Sequence, residues 1–252
     1  MAKEIITCSV DDNIANVVIT RKDKKNALNQ EVLELLTSTF ISLKENDDVK
    51  VIVLSGEGDS AFAAGADLQE ISVLADEYEK KKYYDKFNIL YESIISNPKP
   101  VIAKVAGLAL GGGCLLALTC DFVIATKQSK FAQPEINFGF IGGAVYLSHL
   151  IGKHRTSQIT MMGSTFSSEE ALALGLVNKV VEKDQLDEVV SDYCTKLKGK
   201  SEFALASIKK CIQASFETSL AEGLEMESTL ATECLMTKES IQSIEGFLNK
   251  KS

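Results

Sequence analysis

The stretch Gly111-Gly112-Gly113-Cys114-Leu115 decides how this chain of 252 residues is read. A β-branched run with two prolines precedes it, Pro98-Lys99-Pro100-Val101-Ile102-Ala103-Lys104-Val105. An apolar helical segment, Leu115 to Leu118, follows it and closes on Thr119-Cys120-Asp121. The glycines therefore sit where a buried strand turns into a helix. There the first helical N–H groups lack a partner inside the helix and the helix dipole is positive, which suits an oxyanion or a phosphate. Glycine also removes the Cβ that would hold a ligand off the backbone. Leu115, at the end of the run, brings no chemistry of its own.

Outward from this turn the pattern is that of an α/β fold. Ile5 to Cys8 and Ala15 to Thr20 read as two strands around the polar turn Asp11-Asp12-Asn13. Asn29 is placed to cap a helix whose apolar positions Val32, Leu35, Leu36, Phe40 and Leu43 recur at helical spacing, and Val51 to Leu54 resumes as a buried strand. A loop of small residues, Gly56 to Ala66, leads into a helical region from Asp67 to Ser96, and Phe122 to Thr126 is the next strand. Ser167 with Glu170, and Ser219 with Glu222, form capping-box patterns, and Gly175 is placed to end the first of those helices. From about Leu186 the chain reads as mainly helical, with Phe203, Ala206, Ile208, Ile212 and Phe216 on one helix face. The division is drawn as a body over 1–190 and a helical region over 191–252.

Composition narrows the function classes. A net charge of -8, from 27 Lys and Arg against 35 Asp and Glu, argues against a nucleic-acid binder. Six cysteines without a C-x-x-C pair, and only two histidines, give no zinc-like spacing, so no metal is expected. The cysteines read as buried, reduced thiols of a cytoplasmic protein. The start Met1-Ala2-Lys3-Glu4 offers no apolar signal segment, and the longest apolar stretch, Val105 to Cys120, is too short and too glycine-broken to span a bilayer.

A second small-residue turn, Phe62-Ala63-Ala64-Gly65-Ala66-Asp67, also enters a helix. Two such turns are able to aim two N–H groups, those of Ala66 and Gly112, at one oxygen as an oxyanion hole; the plainer reading of each is close packing. Glu135 is the only formally charged side chain between Lys130 and Lys153. Such an acid is either desolvated, with its pKa pushed up toward acid/base work, or points at water. Arg21-Lys22-Asp23-Lys24-Lys25 is the densest basic patch, fit for phosphates or simply solvated. The dinucleotide fingerprint fails because Leu116 stands where its last glycine belongs, and the Walker pattern lacks its lysine. No G-x-S-x-G elbow exists, and His149 and His154 read as helix surface residues.

Taken together, Asn26-Ala27-Leu28-Asn29, Phe62 to Leu68, Ala106-Gly107 through Cys114, Cys120-Asp121 and Gln133-Pro134-Glu135 resemble the crotonase, or enoyl-CoA hydratase/isomerase, superfamily over essentially the whole chain. The resemblance implies a spiral of ββα units with a C-terminal helical oligomerisation region, assembling as a homotrimer or a dimer of trimers. It implies acyl-CoA thioester substrates, no separate cofactor, and a thioester oxygen held by the N–H groups of Ala66 and Gly112. It sets Lys25, Ala27, Leu28, Ala64, Asp67 and Leu68 against the coenzyme, and Leu115, Pro134 and Gly143 among the substrate contacts.

Hydratases of this family use two glutamates, one directly after Gly-Gly-Gly-Cys and one in Gln-Pro-Glu. Here the first is Leu115 and the second Glu135. Losing a positioned acid/base commonly costs a factor of roughly 10² to 10⁴. A single carboxylate still suffices to shuttle a proton from C2 to C4 of a 3-enoyl thioester, and Gly112 to Asp121 resembles the corresponding segment of mitochondrial Δ3,Δ2-enoyl-CoA isomerases. Isomerisation is therefore the expected reaction. A hydratase or another crotonase reaction, such as decarboxylation of a CoA or carrier-protein thioester, is the alternative, and a non-catalytic acyl-CoA-binding protein is the alternative of another class. Two departures stand out: Ile141-Gly142-Gly143-Ala144 where hydratases carry Ile-Pro-Gly-Ala, and a final helix, Phe247 to Lys251, that stops early.

Overall fold

The two strands expected at the start form a hairpin, β1 (Ile6–Asp11) and β2 (Ile14–Ile19), turned by Asp12 and Asn13 at φ 47° and 62°. Both turn residues tolerate the left-handed region, which matches the twist of a two-residue hairpin. The computed structural model describes residues 4–249, so the expectations placed on Met1 to Lys3 and on Lys250 and Lys251 lie outside the described residues.

Asn29 caps α1 (Gln30–Lys44), its side chain accepting from Val32 N–H. The helix buries Val32, Leu33, Leu36, Phe40 and Leu43, whereas Leu35, expected on this face, is 40% exposed. There follow β3 (Val51–Gly56), β4 (Ala61–Ala63), α2 (Leu68–Ile71) and α3 (Glu77–Ile95). Next come β5 (Val101–Val105), β6 (Leu108–Leu110), α4 (Gly112–Leu118), β7 (Phe122–Thr126) and β8 (Lys130–Ala132). Three times a strand of one sheet is followed by a short strand of a second: β3 and β4, β5 and β6, β7 and β8. This is the ββα spiral. The larger sheet runs β1-β2-β3-β5-β7-β10 and the smaller β4-β6-β8-β9. Pairing is parallel throughout except at the outer pairs β1/β2 and β8/β9.

The glycine run thus follows β6 and not the longer β5, and its helix begins at Gly112 and not at Leu115. Three-residue β6 is too short to show a period, and glycine's poor helix propensity hid the first turn. Similarly, the loop drawn from Gly56 to Ala66 contains β4, and the helical region from Asp67 breaks between α2 and α3.

Beyond the second half of the spiral lie α5 (Ala144–Met162), β9 (Thr165–Ser167), α6 (Ser168–Ala173) and β10 (Lys179–Val181). α6 starts with the Ser167/Glu170 capping box and is followed by Gly175 at φ 76°. The chain ends in α7 (Leu186–Lys198), α8 (Glu202–Ala214), α9 (Leu220–Leu235, capped by Ser219 and Glu222) and α10 (Lys238–Asn249).

Alternate residues of the large sheet serve two cores. Val101, Ala103 and Val105 face an interior shared with α1, α3, α4 and the small sheet. Val51, Val53, Ile102 and Ile124 face Leu186, Val190 and Cys194 of α7. The boundary drawn at residue 190 falls inside this packed helix. Phe203, Ile208 and Ile212 of α8, and Phe216 just beyond its end, are each more than 40% exposed on the single chain. All six cysteines are free; Cys114, Cys120 and Cys194 are buried as expected, but Cys8, on edge strand β1, is exposed.

Candidate active site

Two peptide planes define the site. Leu28 bridges the Ala66 segment in parallel, donating its N–H to Gly65 O at 2.8 Å and accepting from Asp67 N–H at 3.4 Å. In a parallel bridge the residue opposite, Ala66, turns its own N–H to the other side. At the second turn Leu115 N–H donates to Gly111 O at 3.1 Å, and Gly112 is the first residue of α4. Neither Ala66 N–H nor Gly112 N–H has an acceptor among the described residues, and both residues line the same cavity. The turns touch: a Cβ on Gly65 would lie 3.3 Å from Gly112 N.

Glu135 occupies a 3₁₀ turn, Pro134–Phe138, directly after β8. Burial raises its pKa above the ordinary carboxylate value, and only its own backbone N–H works the other way. Its Oε2 is buried with no hydrogen-bond partner among the described residues. The carboxylate lies against two glycines; a Cβ would come within 2.5 Å of Oε1 from Gly111 and within 2.7 Å from Gly142. Gly111 also holds φ 52°, ψ −124°, so a side chain there meets both strain and the acid. The sequence left exposure open for Glu135; the structure desolvates it.

The cavity, of about 460 Å³, is lined by Ala64, Gly65, Ala66, Leu68, Gly112, Leu115, Pro134, Glu135 and Gly143 among others. Glu135 is the only carboxylate in that lining. A neighbouring cavity of about 450 Å³ shares Tyr91, Leu115, Gly142 and Gly143 with it. Four residues expected at substrate do not line it. Leu28 is fully buried in the core. Asp67 caps α2 and pairs with Arg21 at 3.1 Å. Ala27 O accepts from Arg21 Nη1 at 2.5 Å. Lys25 is exposed, and its carbonyl accepts from Ala64 N–H at 3.0 Å, which ties the basic loop to the cavity rim. Asn26, at φ 55°, secures that loop by donating to Ala61 O at 2.7 Å and accepting from Arg21 N–H at 3.1 Å.

Sequence reading missed the α3 wall: Tyr84, Phe87, Asn88 and Tyr91 all line the cavity. Their spacing of three and four was a usable signal, masked because α3 carries so many charges. Tyr91 donates to Gly112 O at 2.8 Å, and burial pushes its phenol well above the usual range, so it remains a donor. Burial likewise pushes the Cys114 thiol up to about 12, which keeps it from acting as a nucleophile. Among the described residues no cluster of three His, Cys, Asp or Glu is arranged to hold a metal, and no helix is long and apolar enough to cross a membrane.

Comparison with known proteins agrees with this fold. A family model for enoyl-CoA hydratase/isomerase matches residues 9–252. The chain is 31% identical over 244 residues to the short-chain-enoyl-CoA hydratase of Clostridium acetobutylicum, covering 96% of this chain and 93% of that one. It is 30% identical over 257 residues to the crotonyl-CoA hydratase of Syntrophomonas wolfei, covering 100% and 97%. The crystal structure of an enoyl-CoA hydratase from Mycobacterium smegmatis superposes with a TM-score of 0.95 at 28% identity, covering 98% of this chain and 97% of that one. With the family model spanning nearly its whole length, this chain belongs to the enoyl-CoA hydratase/isomerase, or crotonase, family.

Proposed function

We propose that the chain moves a double bond from Δ3 to Δ2 of an enoyl-CoA thioester with Glu135 as its single acid/base. The observation that carries this reading is the lining of the main cavity: one carboxylate, Glu135, with Leu115 where a second would stand and Glu92 reaching only the adjoining cavity. Ionised Glu135 takes the C2 proton. The electron pair delocalises toward the thioester oxygen, where Ala66 N–H and Gly112 N–H stabilise the dienolate, a contribution typically of about 3 kcal/mol per donor. The carboxylic acid then returns the proton to C4, leaving the double bond between C2 and C3 and the enzyme unchanged. A raised Glu135 pKa strengthens the base, and the apolar wall of Leu115, Phe138 and Phe140 keeps water from the dienolate. Coenzyme A is part of the substrate, so no separate cofactor takes part.

The basic loop at Lys25 suits the phosphates of the coenzyme, and the two adjoining cavities suit its acyl chain. The exposed apolar faces of α8 to α10 suit a homotrimer or a dimer of trimers. A second reading, hydration of 2-enoyl-CoA, is favoured by the names of the relatives. The two differ in what they ask of position 115, since hydration needs a group there to help orient water. Purified protein is expected to convert 3-enoyl-CoA to 2-trans-enoyl-CoA. Glu135→Gln is expected to cut this at least about a thousandfold while sparing CoA-ester affinity. Full activity in that variant would show that the base is another group.

A further inference from the structure

Gln133 stands behind the cavity wall, its side chain 1% exposed. Its Nε2 donates to Gly111 O at 3.2 Å, alongside the Leu115 N–H. The planar trans peptide joining Gly111 to Gly112 carries that carbonyl on one edge and Gly112 N–H on the other. Fixing the carbonyl therefore fixes where the N–H points. A glycine pair has little of its own to resist rotation of that plane. The amide is boxed in from behind, because a Cβ on Gly143 would lie 2.7 Å from Gln133 Cδ. Its Oε1 is buried with no partner among the described residues, so the amide forgoes one hydrogen bond while keeping the one to Gly111.

We infer that Gln133 is a positioning residue, which holds the Gly111–Gly112 peptide plane so that Gly112 N–H faces the thioester oxygen. This rests on the Ala66 and Gly112 donor reading above. The two donors are held differently: the Gly65–Ala66 plane is fixed by Leu28 N–H alone, a main-chain contact, whereas the Gly111–Gly112 plane depends in part on a side chain. Only the second is open to substitution without moving the chain.

The test uses Gln133→Met, which keeps bulk and removes the donor, and Gln133→Asn, which keeps the amide and withdraws it by one methylene. The probe is 4-(dimethylamino)cinnamoyl-CoA, whose absorption moves to longer wavelength when its thioester carbonyl is polarised. It is read beside kcat and KM for a 3-enoyl-CoA. Both variants are expected to bind the probe nearly as wild type does, lose most of the red shift, and lower kcat by about ten- to a hundredfold at little change in KM. If Gln133→Met does not fold, Gln133→Asn decides. An unchanged red shift per bound probe in a folded variant overturns the inference, whether or not affinity or melting temperature has fallen. Wild-type protein that binds the probe with no red shift overturns the donor reading instead. A wild-type red shift without isomerisation removes only the reaction assigned, and the red shifts of the variants still judge Gln133.

Discussion

At Glu135 function and stability pull in opposite directions. Burial raises its folded pKa above an unfolded value of about 4.3, so the protonated form is the one the fold prefers. Stability is therefore lost as pH rises from the unfolded value through the folded one. Glu135→Gln, which cannot ionise, is expected to melt at a higher temperature than wild type at pH 7, with the gap closing below about pH 4, as scanning calorimetry at both pH values would show. Catalysis runs the other way. In the proposed mechanism protonation removes the base, so kcat/KM for isomerisation is expected to fall on the acid side with a midpoint above about 4.3, read from a pH–rate profile. Leu115 offers the complementary change. Leu115→Glu puts a second carboxylate into the same cavity and is expected to raise hydration of 2-enoyl-CoA at least about tenfold. Glu135 was visible in the sequence because it is a lone charge in an apolar run. Gln133 was quoted only as part of a motif, since nothing in a sequence shows which carbonyl a buried amide will reach.

Among the elements, those with a local signature were legible. Asn29 before an apolar-periodic run, and the Ser167/Glu170 and Ser219/Glu222 boxes, carry their hydrogen bonds within four residues, and each forms as read. Asn29→Ala is expected to cost about 1 kcal/mol in urea unfolding, with the slope unchanged. The three-residue strands β4, β6, β8, β9 and β10 were not legible, because each is held by its neighbours across the sheet and not by its own period. Those short strands matter most for the site: β4 and β6 deliver the two turns, and β8 delivers Glu135. Ala66, Gly112 and Glu135, singled out from the sequence, line one cavity, whereas most of the frame that brings them together was missed.

On the scale of the molecule, the apolar face read from Phe203 to Phe216 is left uncovered on the single chain. Phe203, Ile208, Ile212 and Phe216 follow a helical period, yet on one chain they meet solvent. An apolar face of this kind fits a partner copy. If the proposed trimer or dimer of trimers forms through this face, Ile212→Asp is expected to give smaller species than wild type in light scattering after gel filtration; an unchanged mass would place the interface elsewhere. Whether the lone carboxylate of the main cavity isomerises and does not hydrate is read by presenting the same preparation with 3-enoyl-CoA and 2-enoyl-CoA at equal concentration and comparing initial rates. Rapid formation of 2-trans-enoyl-CoA with hydration at least about a hundredfold slower is the expected result. Hydration as fast as isomerisation, abolished by Glu135→Gln, would contradict it.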